Sequence, residues 1–119
     1  MIETIVIGYL DGRIENIPAY AERPKDPPEE YLLIEKTGGN DTDHIDRAAI
    51  VVQSYADTLY RAAVICRMVE KPMKDITELD EISKCKLNSS YNYTDTDSKK
   101  YRYQAVFDIT YMEGDQENA

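Results

Sequence analysis

The sequence is poor in the residues that build metal sites and cross-links. Its 119 residues include one histidine, two cysteines and no tryptophan. A structural zinc site needs four nitrogen or sulfur ligands, and too few are present here. Cys66 and Cys85 lie far apart without C-x-x-C spacing, which is typical of buried, reduced thiols rather than of a disulfide. The sequence therefore predicts a chain without a metal ion or a disulfide.

Long apolar runs and an excess of positive charge are also missing. The N-terminal stretch MIETIVIGYLDGR has no basic region, and its apolar run is too short for a signal peptide or a membrane span. Lys and Arg number 14 against 23 Asp and Glu, so the net charge is −9. Both nucleic-acid phosphates and anionic membranes attract basic surfaces. The composition therefore favours a cytosolic single domain, and it disfavours general affinity for nucleic acid or membrane.

Motifs for enzyme chemistry are absent as well. The pair Gly38–Gly39 lies in the acidic segment TGGNDTDHID, where we expect a hairpin loop with positive φ rather than a phosphate-binding loop. The segment DTDS, from Asp95, resembles the start of an EF-hand, but lysines stand where Asn or Asp and then Gly are required. His44, in a polar loop, is interpreted as solvated. We expect no catalytic, cofactor-binding or metal-binding residue.

Hydrophobic periodicity predicts a single α+β domain with one mainly antiparallel sheet of about five strands. A long helix is expected on one face of the sheet, with a short helix at the N-terminus. Strands are predicted around 17–21 within 14–22, and at 31–36, 45–55, 81–89 and 100–112. Helices are predicted within 2–13, where Asp11–Gly12 ends the first, and at 57–73. The β-branched run Ile5–Ile7 leaves a strand as the alternative for the first helix. Residues 113–119 are predicted to be a frayed acidic tail.

The connections and helix ends have their own signals. The proline-rich RPKDPPEE predicts an exposed turn, TGGNDTDHID a flexible loop, and KDITELDE a short helical turn or a loop. The long helix is expected to be capped by Ser54 or Asp57 and to end or kink at Pro72. Its predicted apolar stripe consists of Leu59, Ala62, Ala63, Cys66, Val69 and Met73.

The final strand could serve either packing or recognition. One face carries Tyr101, Tyr103, Ala105, Phe107, Ile109 and Tyr111, and the other carries Arg102, Gln104, Val106, Asp108 and Thr110. Sheets that bind nucleic acid place exposed aromatic rings beside basic residues. Here the aromatic residues share a face with aliphatic ones, while the arginine points away. The pattern favours core packing over base stacking.

Three segments, in this order along the chain, carry a family resemblance. They are IPAYAERPKDPPEEYLLIEKTGG, AAIVVQSYADTLYRAAVICRMV and ISKCKLNSSYNYTDTDSKKYRYQAVFDITY. Together they run from Ile17 to Tyr111. They resemble the tail terminator or tail-completion proteins of long-tailed bacteriophages and prophages, which are often called minor capsid proteins. The shared motifs are structural rather than catalytic.

The resemblance implies a non-enzymatic virion protein with this type of fold. Family members form a ring, usually a hexamer, that ends the tail tube at its head-proximal end and meets the head–tail connector. DNA passes through the channel without specific binding, no membrane is involved, and the subunits are made in the bacterial host cytoplasm. The alternatives are a neighbouring head–tail connector protein and a cytosolic domain that binds a ligand or nucleic acid.

By analogy with the family, three loops are candidate contacts with neighbouring subunits or with the tail tube protein. These loops span residues 24–30, 37–46 and 94–100. The candidate contact residues are Pro24, Lys25, Asp26, Gly38, Gly39, Asn40, Asp95, Asp97, Lys99 and Lys100.

Overall fold

The residues that the structure describes form five strands, two α-helices and a short 3-10 helix. A computed structural model describes residues 1–42, 45–95, 97 and 100–112. Its elements are α1 (Ile2–Leu10), β1 (Ala19–Tyr20), β2 (Tyr31–Thr42), β3 (Ile45–Ala56), α2 (Leu59–Asp75), a 3-10 helix (Ile76–Glu78), β4 (Ile82–Asn92) and β5 (Tyr101–Tyr111). The predicted α+β class, with a long helix and a short N-terminal helix, is confirmed.

The described strands form one sheet in the order β1-β2-β3-β5-β4. β2, β3, β5 and β4 pair antiparallel with their neighbours, whereas the short β1 is parallel to β2. The sheet is thus mixed, although mainly antiparallel. β1 follows Pro18 at the sheet edge, where a residue without an N–H group can be accommodated.

Both helices pack on the same face of the sheet. Side chains of α1 and α2 join inward-facing residues of the strands in one hydrophobic core. Ile65 and Val69 of α2 are fully buried, as are Ile50 and Val52 of β3. Burying each such side chain contributes roughly 1.5–3 kcal/mol. The apolar stripe of α2 therefore holds the helix on the sheet, and Ile65 belongs to it although the predicted stripe omitted it.

The ends of α2 differ from the sequence prediction. The N-cap is Thr58, whose Oγ1 accepts a hydrogen bond from the Arg61 backbone N–H at 3.1 Å, and neither Ser54 nor Asp57 takes this position. Leu59, predicted to be in the apolar stripe, is 39% exposed in the first turn. The helix continues through Pro72 to Asp75. Only one intrahelical hydrogen bond is lost at proline, and it lies in the last helical turn.

The predicted loop at residues 37–46 is largely strand. β2 runs to Thr42 and β3 begins at Ile45, with two residues of β2 opposing one of β3 between Lys36 and Gly39. Gly38 has φ +100° and Gly39 has φ +149°. The expected positive φ values are therefore present, but in a β-bulge rather than in a loop, because one extra residue forces the strand to bend. His44 lies outside the described residues.

Candidate interaction surface

The sheet face opposite the helices is lined by side chains from four strands. Antiparallel pairing places Tyr31 beside Tyr55 and Tyr55 beside Arg102. The next outward-facing row contains Leu33, Gln53, Gln104 and Tyr91, and the row after it contains Glu35, Val51, Val106 and Ser89. Neither helix packs here, since both contribute to the core on the other face. We call these three rows the open face.

Aromatic rings and one arginine form a stack along the first row of the open face. The rings of Tyr31 and Tyr55 are stacked with centroids 4.5 Å apart, and Tyr20 meets Tyr31 edge-on at 6.1 Å. The Arg102 guanidinium lies 4.6 Å from the centroid of Tyr93 and 5.9 Å from that of Tyr55. Burial, followed by the neighbouring Tyr55 hydroxyl, raises the pKa of Tyr31. These contacts tie β2, β3 and β5 to the start of the β4–β5 connection.

Arg102 also begins a hydrogen-bonded chain that crosses the open face. It donates to the Tyr55 hydroxyl at 3.0 Å, and that hydroxyl donates to Gln53 Oε1 at 3.1 Å. Gln53 Nε2 donates to Gln104 Oε1 at 2.8 Å, and Gln104 Nε2 donates to the Tyr91 hydroxyl at 2.6 Å. Gln53 and Gln104 are only 7% and 8% exposed. Because buried amides without partners are costly, this chain fixes their orientation.

The prediction for the last strand is confirmed in part. Phe107, Ile109 and Tyr111 are buried in the core, but Tyr101 is 39% exposed. The arginine does face away from these residues. What the sequence reasoning missed is that tyrosines from other strands surround Arg102. Strand pairing, which the sequence does not specify, brings these tyrosines beside Arg102. The alternating tyrosines of SSYNY were the sequence feature that could have indicated an aromatic surface.

Two cations near this stack, Lys100 and Arg102, are already bound within the chain. Lys100 Nζ forms an ion pair with Asp57 at 2.8 Å and also contacts the Glu29 carbonyl. Arg102 Nε donates to the Tyr93 carbonyl at 2.6 Å. Acidic Asp95 lines the same cleft of about 140 Å³, with Arg23 on its wall. The arrangement is poorly suited to nucleic-acid phosphates, which need cations free to pair with them.

Two of the three candidate contact loops meet at this end of the sheet. The contact of Lys100 with Glu29 joins the segment of Pro24, Lys25 and Asp26 to the segment of Asp95 and Asp97. Lys25, Asp26, Asp95 and Asp97 are exposed, whereas Pro24 and Lys100 are half-buried. The third loop does not join them. Gly38 and Gly39 lie seven and eight residues along β2 from Tyr31, roughly 23–26 Å away at 3.3 Å per residue.

The two remaining candidate residues are less well defined. The backbone of Asn40 pairs with Arg47 near the far end of β2. Lys99 lies outside the described residues.

Arg61 fixes the 23–30 segment against the helix. Its guanidinium contacts Glu30 at 2.6 Å and Glu15 at 2.5 Å. These hydrogen bonds raise the pKa of Arg61. Glu15 and Asn16 both have positive φ, of 48° and 62°, in a tight turn closed by the Ile17 N–H donating to the Ile14 carbonyl at 2.8 Å. The ion pair thus stabilises a turn that carries two strained residues.

A groove on the helical side has a volume of about 540 Å³. Tyr9 donates a hydrogen bond to Glu78 at 3.2 Å there, and the Arg13 guanidinium lies 3.8 Å from the Tyr9 ring centroid. Burial and the hydrogen bond to Glu78 raise the pKa of Tyr9. The wall alternates acidic and basic groups without a nucleophile paired to a base, so its geometry indicates no reaction.

Two further features of the described chain bear on function. No three His, Cys, Asp or Glu side chains within these residues come together to hold a metal ion. None of the helices described above is long and apolar enough to cross a membrane.

The chain matches no family model and no curated protein. Its function is therefore argued from its residues, its surfaces and the resemblance of its three segments.

Proposed function

We propose that this chain is a non-enzymatic structural protein of a phage virion, a tail terminator. In this role it assembles into a ring, hexameric by family resemblance, at the head-proximal end of the tail. The ring ends growth of the tube, contacts the major tail tube protein and joins the tail to the head–tail connector. The resemblance of the segments between Ile17 and Tyr111 is the starting point of this proposal.

The observation that supports it best is the one-sided sheet. One face of the sheet is sealed by α1 and α2, whereas the open face presents half-buried Leu33 and Val106 beside tyrosines. A ring subunit needs surfaces that meet neighbours on more than one side. Half-exposed apolar and aromatic side chains of this type are enriched where proteins contact each other.

Charge supports the same role. A net charge of −9 and internally paired cations suit a channel lining that lets DNA pass without holding it. The two loops that meet at the Lys100 end form one contact region, and the β2–β3 hairpin forms another at the opposite end of the sheet. A subunit between a tube and a connector requires such separated contacts.

Deletion of the gene in its own phage tests the function. A terminator mutant yields tail tubes of uncontrolled length and heads without tails, as seen by negative-stain electron microscopy. Tubes of normal length that fail to join heads would instead assign the chain to the neighbouring connector role. Normal infectious particles would refute both. A complementing copy of the wild-type gene is the control.

A further inference from the structure

The sheet has two exposed edges. β4 is the outermost strand on one side, and no described strand pairs with its outer edge. On the other side, β1 pairs with β2 only at Leu32 and Leu33. The rest of β2, from Ile34 to Thr42, has no described strand beyond it. Exposed strand edges are templates for pairing with another chain.

The two edges carry opposite formal charges. β4 contains Lys84 and Lys86 and no acidic residue, although the chain as a whole is strongly acidic. The exposed part of β2, from Ile34 to Thr42, contains two acidic residues, Glu35 and Asp41, and one lysine. Pairing of β4 with β4 would bring lysines together, and pairing of β2 with β2 would bring carboxylates together. Only the mixed pairing, β4 with β2, joins unlike charges.

Strand direction and shape also suit the mixed pairing. β2 is antiparallel to β3, β3 to β5 and β5 to β4, so β4 runs opposite to β2. A second copy placed beside the first in the same orientation would thus add its β2 antiparallel to β4. Both edges are bulged next to the row of Lys36, Ile50, Phe107 and Leu87, on its two sides, since β2 shifts register after Lys36 and β4 after Leu87. Without a stagger between copies, the two bends would flank the same row.

We propose that β4 of one copy pairs antiparallel with the exposed part of β2 of the next copy, so that the ring is closed by a continuous sheet. The inference rests on the proposed ring function and names the surface that builds it. The exposed part of β2 has nine residues, about 30 Å of strand. The contact is heterologous, with a different patch on each side, which is the type that closes into rings.

In the unstaggered register, Lys84 lies beside Asn40. The register partners Asn40, Arg47, Thr110 and Lys84 occupy one row of the sheet, and Asp41 is in the next row. Lys86 and Glu35 both lie on the open face, in the rows of Ala49 and Val51, so this register places the Lys86 charge diagonal to the Glu35 carboxylate of the neighbouring copy.

Charge reversal at the edges is the first part of the test. We expect the Lys84→Glu, Lys86→Glu double variant to lose the oligomer that the wild-type chain forms at high concentration, measured by native mass spectrometry. Adding Glu35→Lys, on the same face as both lysines, should restore part of it. The matched control, Arg67→Glu with Lys71→Glu on exposed positions of α2, changes the net charge equally and should assemble. Circular dichroism checks that every variant folds.

Hydrogen exchange is the second part. On assembly, amides of β4 and of residues 34–42 should exchange at least tenfold more slowly. Assembly without this protection, or unchanged assembly of the Lys84→Glu, Lys86→Glu variant, overturns the edge pairing and leaves the terminator role intact. A wild-type chain that stays monomeric at every concentration also overturns it. The terminator role is tested separately, by the length of the tails that the gene-deletion mutant makes.

Discussion

Gly39 should be the least replaceable glycine in the chain. A Cβ atom at this position would lie 2.3 Å from the Arg47 carbonyl oxygen and 3.2 Å from the Ala48 Cα, and φ is +149°. The contacted atoms are backbone, and they belong to the strand that pairs with Gly39, so they cannot move without breaking the hairpin. Backbone strain of about 1–2 kcal/mol and overpacking of about 1–3 kcal/mol predict that Gly39→Ala costs roughly 2–5 kcal/mol. That is a large fraction of the about 5–15 kcal/mol typical of a domain.

Two other glycines separate the contribution of backbone strain from that of the steric clash. Gly38 has φ +100° but nothing within 4 Å of its Cβ position, so Gly38→Ala should cost only the backbone strain, about 1–2 kcal/mol. Gly8 lies in α1 with open space around it, and Gly8→Ala should stabilise by about 0.5–1 kcal/mol. Urea unfolding followed by circular dichroism measures all three. If Gly39→Ala is no less stable than Gly38→Ala, the clash with the Arg47 carbonyl does not determine the bulge.

Three further predictions concern buried groups. Gln104→Leu should cost about 1–3 kcal/mol because it leaves the Gln53 amide unpaired, and adding Gln53→Leu should recover most of that loss in urea unfolding; an additive double variant would show that the two amides do not act as a unit. Ser54 Oγ is a buried side-chain oxygen without a hydrogen-bond partner among the described residues, so Ser54→Ala should raise the unfolding free energy by about 1 kcal/mol, and a loss of stability would contradict this. Burial raises the pKa of Cys66 to about 11 and that of Cys85 to about 12, against 9.0 for a free thiol. The stabilisation from these neutral thiols is therefore complete below pH 9 and is lost as the pH rises through 11 to 12; replacing both by Ala should flatten this fall in the urea midpoint, and an unchanged pH profile would refute it.

The element types were predictable because local patterns decide them. Ala62, Cys66, Val69 and Met73 recur at helical spacing, and all four are buried in α2. From Ala105 to Tyr111, alternate residues of β5 face the core, as strict alternation predicts. Both patterns reflect burial of one face, which is the main driving force of folding.

Pairing between distant strands was not predictable in the same way. The segment TGGNDTDHID has the composition of a loop, yet pairing of β2 with β3 continues through Gly39 to Thr42. Arg102 looked isolated on its face, because Tyr31 and Tyr55 reach it only through sheet order. Single-sequence patterns specify which face of a strand is buried, whereas neighbour identity depends on the whole topology.

The position of β5 has a consequence for synthesis of the protein. β5 is the last strand among the described residues but lies inside the sheet, where Tyr111 pairs with Asp46 and Tyr101 with Ala56. During translation, the β2–β3 hairpin emerges from the ribosome long before β5. Until β5 emerges, one edge of β3 is unpaired. Contacts at such long sequence separation form slowly. The nascent chain is therefore most open to misassociation just before β5 is released.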